Sequence, residues 1–190
     1  MQSDTNRIPF GVPSLDEKIG GMRRGSITLL YSHKNEGKTD TALRIAHRAT
    51  CAGYNVLFRG SVEWWDKSKY HFTFISLPMR PSDLLHQLKE YKESNGASGD
   101  LVVIDDVYLM GCDDVYSSPS EKCGNIFKGL HEIAKEQNIS LLVCMQIPKQ
   151  PLSKFITMHC EYILELMKVL EVTVQKNRAG DCFFQFLLDS

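Results

Sequence analysis

The sequence predicts an α/β fold in which helices flank a mostly parallel sheet that ends in an antiparallel meander. Between residues 27 and 145, short apolar runs typical of buried strands alternate with amphipathic segments of helical period. From Tyr162 onward, strand-like runs follow one another without helices between them. The chain has 190 residues and no linker-like segment, so we expect a single domain, 1–190.

The elements follow from local patterns. The first helix shows Ala42, Ile45, Ala46 and Ala49 at helical spacing until Gly53 ends the run. A second helix is predicted over 82–93, capped by Ser82, and a third over 123–137. Strands are predicted at 27–31, 55–59, 72–75, 101–104, 140–145, 162–166, 170–175 and 183–188.

Composition narrows the classes of protein. The formal net charge of -1 gives no overall attraction to nucleic acid, so any such site must be a local patch. Six scattered cysteines without a Cys-x-x-Cys pair indicate reduced thiols rather than disulfides or zinc. Without an apolar leader or spanning run, we expect no membrane association and a reducing compartment: cytoplasm, nucleoid or mitochondrial matrix.

A phosphate-binding loop is predicted between the first strand and the first helix. Its eight residues are Ser32, His33, Lys34, Asn35, Glu36, Gly37, Lys38 and Thr39. A strand, a loop ending in Gly-Lys-Thr and a helix are typical of nucleotide-binding proteins, although Ser32 replaces the usual first Gly. We expect Gly37 to bring amides close to phosphate, Lys38 to reach the β- and γ-phosphates, and Thr39 to ligate Mg²⁺.

Polar residues at the ends of predicted strands are further site candidates, because ligands bind at the carboxyl ends of parallel strands. Asp105 follows an apolar run and is placed to hold Mg²⁺ through water, as a Walker B residue does. Asp106 is interpreted as a loop residue. Glu63 is positioned to polarise an attacking water, and Gln146 to contact the γ-phosphate or that water.

The segment 175–180, Gln-Lys-Asn-Arg-Ala-Gly, is predicted to turn between the last two strands. Two cations in a tight turn are commonly just solvated. In an ATPase that works between subunits, however, such a turn can deliver an arginine finger to a neighbour's γ-phosphate.

In this order the motifs resemble the RecA-like ATPase core of the DnaB-type replicative helicases, a family that includes Twinkle. The resemblance runs from Ile8 to Leu188 and includes the lead-in 8–25, the Ser-Val-Glu of 61–63, and Ile-Asp-Asp-Val-Tyr-Leu-Met at 104–110. It implies ATP and Mg²⁺ as ligands, Glu63 as catalytic base and Gln146 as sensor. Lys176 and Arg178, in the Lys-x-Arg hairpin, correspond to fingers that act on the neighbouring subunit.

The same resemblance implies a hexamer or filament around single-stranded DNA. Residues 111–122 and 148–157 would line the channel, with Lys122, Lys149 and Lys154 on phosphate. The acidic pair Asp113-Asp114 fits this poorly. The segment 63–101 is short for the family, and we expect no domain or linker helix before Ile8, so assembly should be weak.

Two other functions stay open. One is a RecA- or KaiC-like ATPase of recombination or regulation, favoured by the lead-in but not by the Lys-Asn-Arg hairpin. The other is a largely non-catalytic paralogue that binds a replication or recombination partner, favoured by the short loops and by Glu36 beside Gly37.

Overall fold

The computed structural model describes residues 6–60, 70–75, 79–146, 152–168, 171–177 and 184–187. The strands are β1 (Arg7–Ile8), β2 (Met22–Arg23), β3 (Ser26–Ser32), β4 (Val56–Gly60), β5 (Thr73–Ile75), β6 (Leu101–Asp105), β7 (Ser140–Gln146), β8 (Cys160–Lys168), β9 (Glu171–Asn177) and β10 (Phe184–Leu187). The helices are α1 (Pro13–Ile19), α2 (Lys38–Cys51), α3 (Pro81–Asn95), α4 (Pro119–Gln137) and α5 (Lys154–Thr157), with a 3-10 turn at Val107–Leu109.

Eight strands form the central sheet in the order β10-β9-β8-β3-β7-β6-β4-β5. The six strands from β8 to β5 are parallel, whereas β9 and β10 are antiparallel to their neighbours. The predicted fold class is therefore confirmed. Because β3, β4, β6 and β7 run the same way, their carboxyl ends lie on one edge of the sheet.

Each face of the sheet carries its own hydrophobic core. Adjacent residues of β7 contribute to opposite faces, since side chains alternate along a strand: Leu142 packs with α1 and α2, and Leu141 packs with α3 and α4. Both residues are fully buried. Apolar runs without polar alternation are what a strand covered on both faces requires.

Two helices begin earlier than predicted. Helix α3 starts at Pro81, so Ser82 is not its cap; the Asp83 side chain instead accepts a hydrogen bond from Arg80 N at 2.9 Å. Helix α4 starts at Pro119 rather than at Cys123, and Ser118 Oγ accepts from Glu121 N at 3.2 Å. In both helices the first residue is proline, whose fixed φ favours that position.

The end of β9 also differs from the prediction. The strand continues through Asn177, so Lys176 and Asn177 lie in a strand rather than in the predicted turn at 175–180. Register explains the difference, because Asn177 still pairs with Tyr162 of β8. Arg178 lies outside the described residues.

The lead-in packs against the amino end of the sheet. Strands β1 and β2 form a small antiparallel pair, and Arg7 Nη1 donates to Ile19 O at 3.0 Å and to Tyr162 Oη at 2.6 Å. In the part of the chain that the structure describes, every helix is too short or too polar to cross a membrane.

Candidate nucleotide-binding site

The loop between β3 and α2 ends in a glycine that leaves the first turn of the helix without a side-chain cap. Gly37 caps α2 in the left-handed region at φ 80°, a conformation that favours glycine. A glycine cap has no side chain to accept hydrogen bonds from the first turn of the helix. The first amides of α2 therefore suit an anion, which the helix dipole also favours.

Three predicted residues meet at the start of α2. Lys38 Nζ donates to Asp105 Oδ1 at 2.9 Å, and Thr39 Oγ1 donates to Asp105 Oδ2 at 2.6 Å. Asp105 ends β6 and is nearly buried, 6% exposed. A hydroxyl and a carboxylate in contact provide the hard oxygen atoms that Mg²⁺ prefers, beside a lysine suited to phosphate.

The surroundings keep Lys38 charged. Burial lowers the pKa of Lys38, but Cys144, Asp105 and Asp106 raise it more, so that the net shift is upward. Burial also raises the pKa of the Cys144 thiol well above its usual value. Since that thiol is neutral at physiological pH, the two carboxylates are the groups that stabilise the ammonium.

Asp106 does more than its interpretation as a loop residue implied. It does lie in the connection after β6, yet its Oδ2 accepts hydrogen bonds from Lys38 Nζ at 3.1 Å and from Gln146 N at 2.9 Å. Its Oδ1 accepts from Tyr108 N at 3.0 Å. The sequence does show a second Asp directly after Asp105. It does not show which groups the side chain of that second Asp contacts.

Arg59 is a second residue that sequence reasoning missed. It is fully buried at the end of β4, and its Nη1 donates to the Asp106 carbonyl at 3.1 Å. Burial lowers the pKa of Arg59 to about 10, against the opposing effect of Asp106 and Asp105, so it remains charged at neutral pH. Among the described residues its Nε and Nη2 have no hydrogen-bond partner.

The acidic residue of the loop bonds back to the loop itself. Glu36 Oε2 accepts a hydrogen bond from His33 N at 2.8 Å, and Ser32 Oγ donates to His33 O at 2.9 Å. Glu36 is half-buried. It thus occupies one backbone amide of the loop and places a negative charge there.

The other predicted residues are dispersed. Lys122 lies on α4 with its Nζ 6.0 Å from the centre of the Tyr116 ring, and Lys154 is exposed on α5. Glu63 and Lys149 lie outside the described residues. Within the described ranges, no three His, Cys, Asp or Glu residues are grouped so as to hold a metal by themselves.

The chain has a short match among curated proteins, and no protein-family model matches it. The DNA repair and recombination protein RadB of Halobacterium salinarum, in two strains, is 41% identical over 54 residues. Those residues are 28% of this chain and 23% of RadB, so the match spans less than a quarter of the relative.

Solved structures resemble nearly the whole chain. A DnaB-like replicative helicase, studied with its interactions with primase, has a TM-score of 0.80 at 16% identity, covering 95% of this chain and 61% of that one. A second solved structure, described as an ATPase domain, has a TM-score of 0.81 at 16% identity, covering 95% and 88%. The predicted resemblance is confirmed at the level of fold: the chain has the RecA-like fold of DnaB-like helicase ATPase domains.

Proposed function

We propose that this chain is a Mg²⁺-dependent ATPase subunit of a DnaB-like motor that acts on single-stranded DNA. The observation that carries the proposal is the meeting of Lys38, Thr39 and Asp105 within 2.6 to 2.9 Å at the end of a glycine-capped loop. The fold and this arrangement together favour nucleotide binding over a purely structural role.

Each of these groups has a distinct task in the proposed reaction. Lys38 and the first amides of α2 bind the phosphates, while Thr39 directly and Asp105 through water would hold Mg²⁺. The metal would neutralise charge that develops on the phosphate oxygens. Burial of Lys38 and Asp105 strengthens these interactions, because water screens them less there.

Glu63 is the proposed catalytic base. Although Glu63 is not among the described residues, Gly60 at the end of β4 is paired with Asp105 of β6. Glu63 therefore follows, by three residues in the sequence, a position that pairs with the candidate Mg²⁺ ligand. Gln146 is the proposed sensor. It is the last residue of β7, which pairs with β6, the strand that ends at Asp105.

The proposed fingers act on a neighbouring subunit. Lys176 pairs with Ile163 of β8, which pairs with Leu29 of β3, three residues before Ser32. At ~3.3 Å per residue and ~4.8 Å per strand, the Lys176 backbone lies about 10 Å along the strands and two strands across from the phosphate loop. Strand β9 runs away from that loop toward its end at Asn177. This placement of the Lys176 backbone supports Lys176, with Arg178 two residues further along the sequence, as a pair of fingers that act between subunits in a hexamer or filament.

Single-stranded DNA is the proposed activator, with Lys122, Lys149 and Lys154 as candidate phosphate contacts. Tyr116 supports this surface: it is 46% exposed, and Lys122 lies over its ring. A cation beside an exposed aromatic ring suits the stacked bases and phosphates of single strands. Replication or recombination proteins are the proposed partners.

The match to RadB favours a second candidate, an ATPase of recombination rather than of unwinding. A helicase releases a strand from a forked duplex when it hydrolyses ATP. A recombination ATPase would bind single strands without displacing one from that fork, so a strand-displacement assay separates the two functions.

The test of the proposed function combines ATP hydrolysis, with and without single-stranded DNA, with a mass measurement in solution. We expect hydrolysis that DNA stimulates, and Lys38→Ala to abolish nucleotide binding or hydrolysis because the phosphates lose their cation. Lys89→Ala, on the exposed surface of α3, is the matched control. Absence of nucleotide affinity in the unaltered protein at millimolar Mg-ATP would establish the non-catalytic alternative instead.

A further inference from the structure

Asp106 caps its own connection after β6 and joins it to two distant segments through one side chain. Its carboxylate accepts hydrogen bonds from Lys38 Nζ in the phosphate loop, from the Tyr108 amide after β6, and from the Gln146 amide at the end of β7. Arg59, which is fully buried, donates a hydrogen bond to the main-chain carbonyl oxygen of Asp106. The chain distance from Asp106 to Gln146 is 40 residues, and to Lys38 it is 68.

This carboxylate is additional to the site already described. Asp105 by itself contacts both Lys38 and Thr39. The candidate Mg²⁺ site therefore does not need Asp106. Asp106 instead links Lys38 to the main chain in two places, the connection after β6 and the end of β7. Tyr108 and Leu109, in the first of them, are 47% and 50% exposed.

We propose that Asp106 is a positioning residue that couples phosphate binding at Lys38 to the placement of Tyr108 and Gln146. This proposal rests on the proposed function. It adds a link between nucleotide bound at Lys38 and the positions of Tyr108 and Gln146. A phosphate competes with Asp106 for Lys38 and repels its carboxylate. Nucleotide binding should therefore weaken the hydrogen bonds that the Tyr108 and Gln146 amides donate to Asp106.

Coupling of this kind is reciprocal. If nucleotide weakens the contacts of Asp106 with Tyr108 and Gln146, those contacts must weaken nucleotide binding by the same factor. Removing the negative charge of Asp106 should consequently tighten nucleotide binding. A purely structural role predicts the opposite, because a disordered site binds less well.

Asp106→Asn is the discriminating variant. Asparagine keeps the size of the side chain but has a single acceptor oxygen, so it cannot serve Lys38, Tyr108 N and Gln146 N together. Its NH₂ group repels the lysine ammonium. Glu90→Gln, which removes one charge from the exposed surface of α3, is the control.

The experiment measures binding of a fluorescent ADP with Mg²⁺, and hydrogen exchange of the Tyr108 and Gln146 amides with and without Mg-ADP. For Asp106→Asn we expect binding about tenfold tighter, the size of one charge-assisted hydrogen bond. In the unaltered protein, Mg-ADP should speed exchange of both amides. In the variant, exchange of at least one of the two amides should be fast already and should not respond, because the single Asn oxygen keeps only part of these contacts.

Unchanged or weaker ADP binding by Asp106→Asn, with amide exchange like that of the unaltered protein, overturns this proposal and leaves the proposed function standing. If neither protein binds ADP, the proposed function fails and the coupling fails with it. Tighter binding by Glu90→Gln as well would assign the effect to overall charge and would also overturn the proposal.

Discussion

Two carboxylates lie next to the predicted phosphate loop, and in the proposed site they would act in opposite directions on a bound polyphosphate. Asp105 contacts the Thr39 hydroxyl, and in the proposed site it would act on the phosphates through a metal ion. Glu36 has no such intermediary: it lies inside the loop and accepts a hydrogen bond from His33 N. At the scale of single residues, the proposed nucleotide affinity is thus a balance between groups that would attract phosphate and one that would repel it.

Replacing Glu36 should shift that balance. Glu36→Gln keeps an oxygen that accepts from His33 N but removes the charge, so we expect nucleotide to bind about two- to fivefold more tightly. The gain is modest because a half-exposed charge is screened by water and salt. Titration with fluorescent ADP measures it, with Glu93→Gln on exposed α3 as control. Equal affinity would show that the carboxylate already points away from the phosphates.

At the scale of elements, the structure explains one residue of the acidic pair Asp113-Asp114, which fits poorly in a DNA-lining loop. Asp113 lies at the start of α3, where its Oδ2 accepts from Ser82 N at 3.0 Å and its Oδ1 from Ser82 Oγ at 2.5 Å. Gly111 N also donates to Met79 O at 3.0 Å. The connection after β6 is therefore fastened to α3, and Asp113 complements the positive end of that helix.

Removing this cap should destabilise the fold without altering the nucleotide site. For Asp113→Ala we expect a loss of about 1 kcal/mol in the free energy of unfolding, as for other helix caps. Denaturation by urea measures the change. Asp114→Ala, the exposed neighbour, should leave the free energy of unfolding within about 0.5 kcal/mol. Equal losses in both variants would mean that the contact with Ser82 contributes nothing.

At the scale of the whole molecule, the sheet separates the two halves of the proposed catalytic machinery. The phosphate loop, Asp105 and Gln146 lie at the carboxyl ends of β3, β6 and β7. Because β9 is antiparallel to β8, its last residues lead toward the opposite edge. This topology is consistent with the proposal that a neighbouring subunit supplies Lys176 and Arg178 to the nucleotide.

Mixing two inactive variants tests this arrangement. Arg178→Ala has an intact phosphate loop and Lys38→Ala an intact finger, so a mixture should regain ATPase activity that neither has alone. Activity of the unaltered protein should also rise with its concentration, since only assembled subunits are complete. Light scattering at each dilution follows assembly. A mixture without activity, beside an unaltered protein whose specific activity is constant on dilution, would rule out the trans arrangement.

Some features of this molecule were determined by the sequence alone, because they depend on neighbouring residues in the chain. The strand, loop and helix of 26–51 are contiguous, so residue pattern predicts both their order and the candidate role of Lys38 and Thr39. Asp105 was identifiable because a polar residue that ends an apolar parallel strand lies at the carboxyl end of the sheet, where ligands bind. The α/β order and the antiparallel end of the sheet follow from the same local patterns.

Only the tertiary structure decided which distant groups share a space. The contact of Asp106 with Gln146 requires β6 and β7 to be neighbours, and the burial of Arg59 requires β4 to pair with β6. Asp113 caps α3 from 31 residues away, and the pairing of β9 with β8 carries that strand past its predicted end. The physical reason is common to all four features. Each depends on which elements are neighbours in the fold and in which register they lie, and no local pattern in the sequence encodes that.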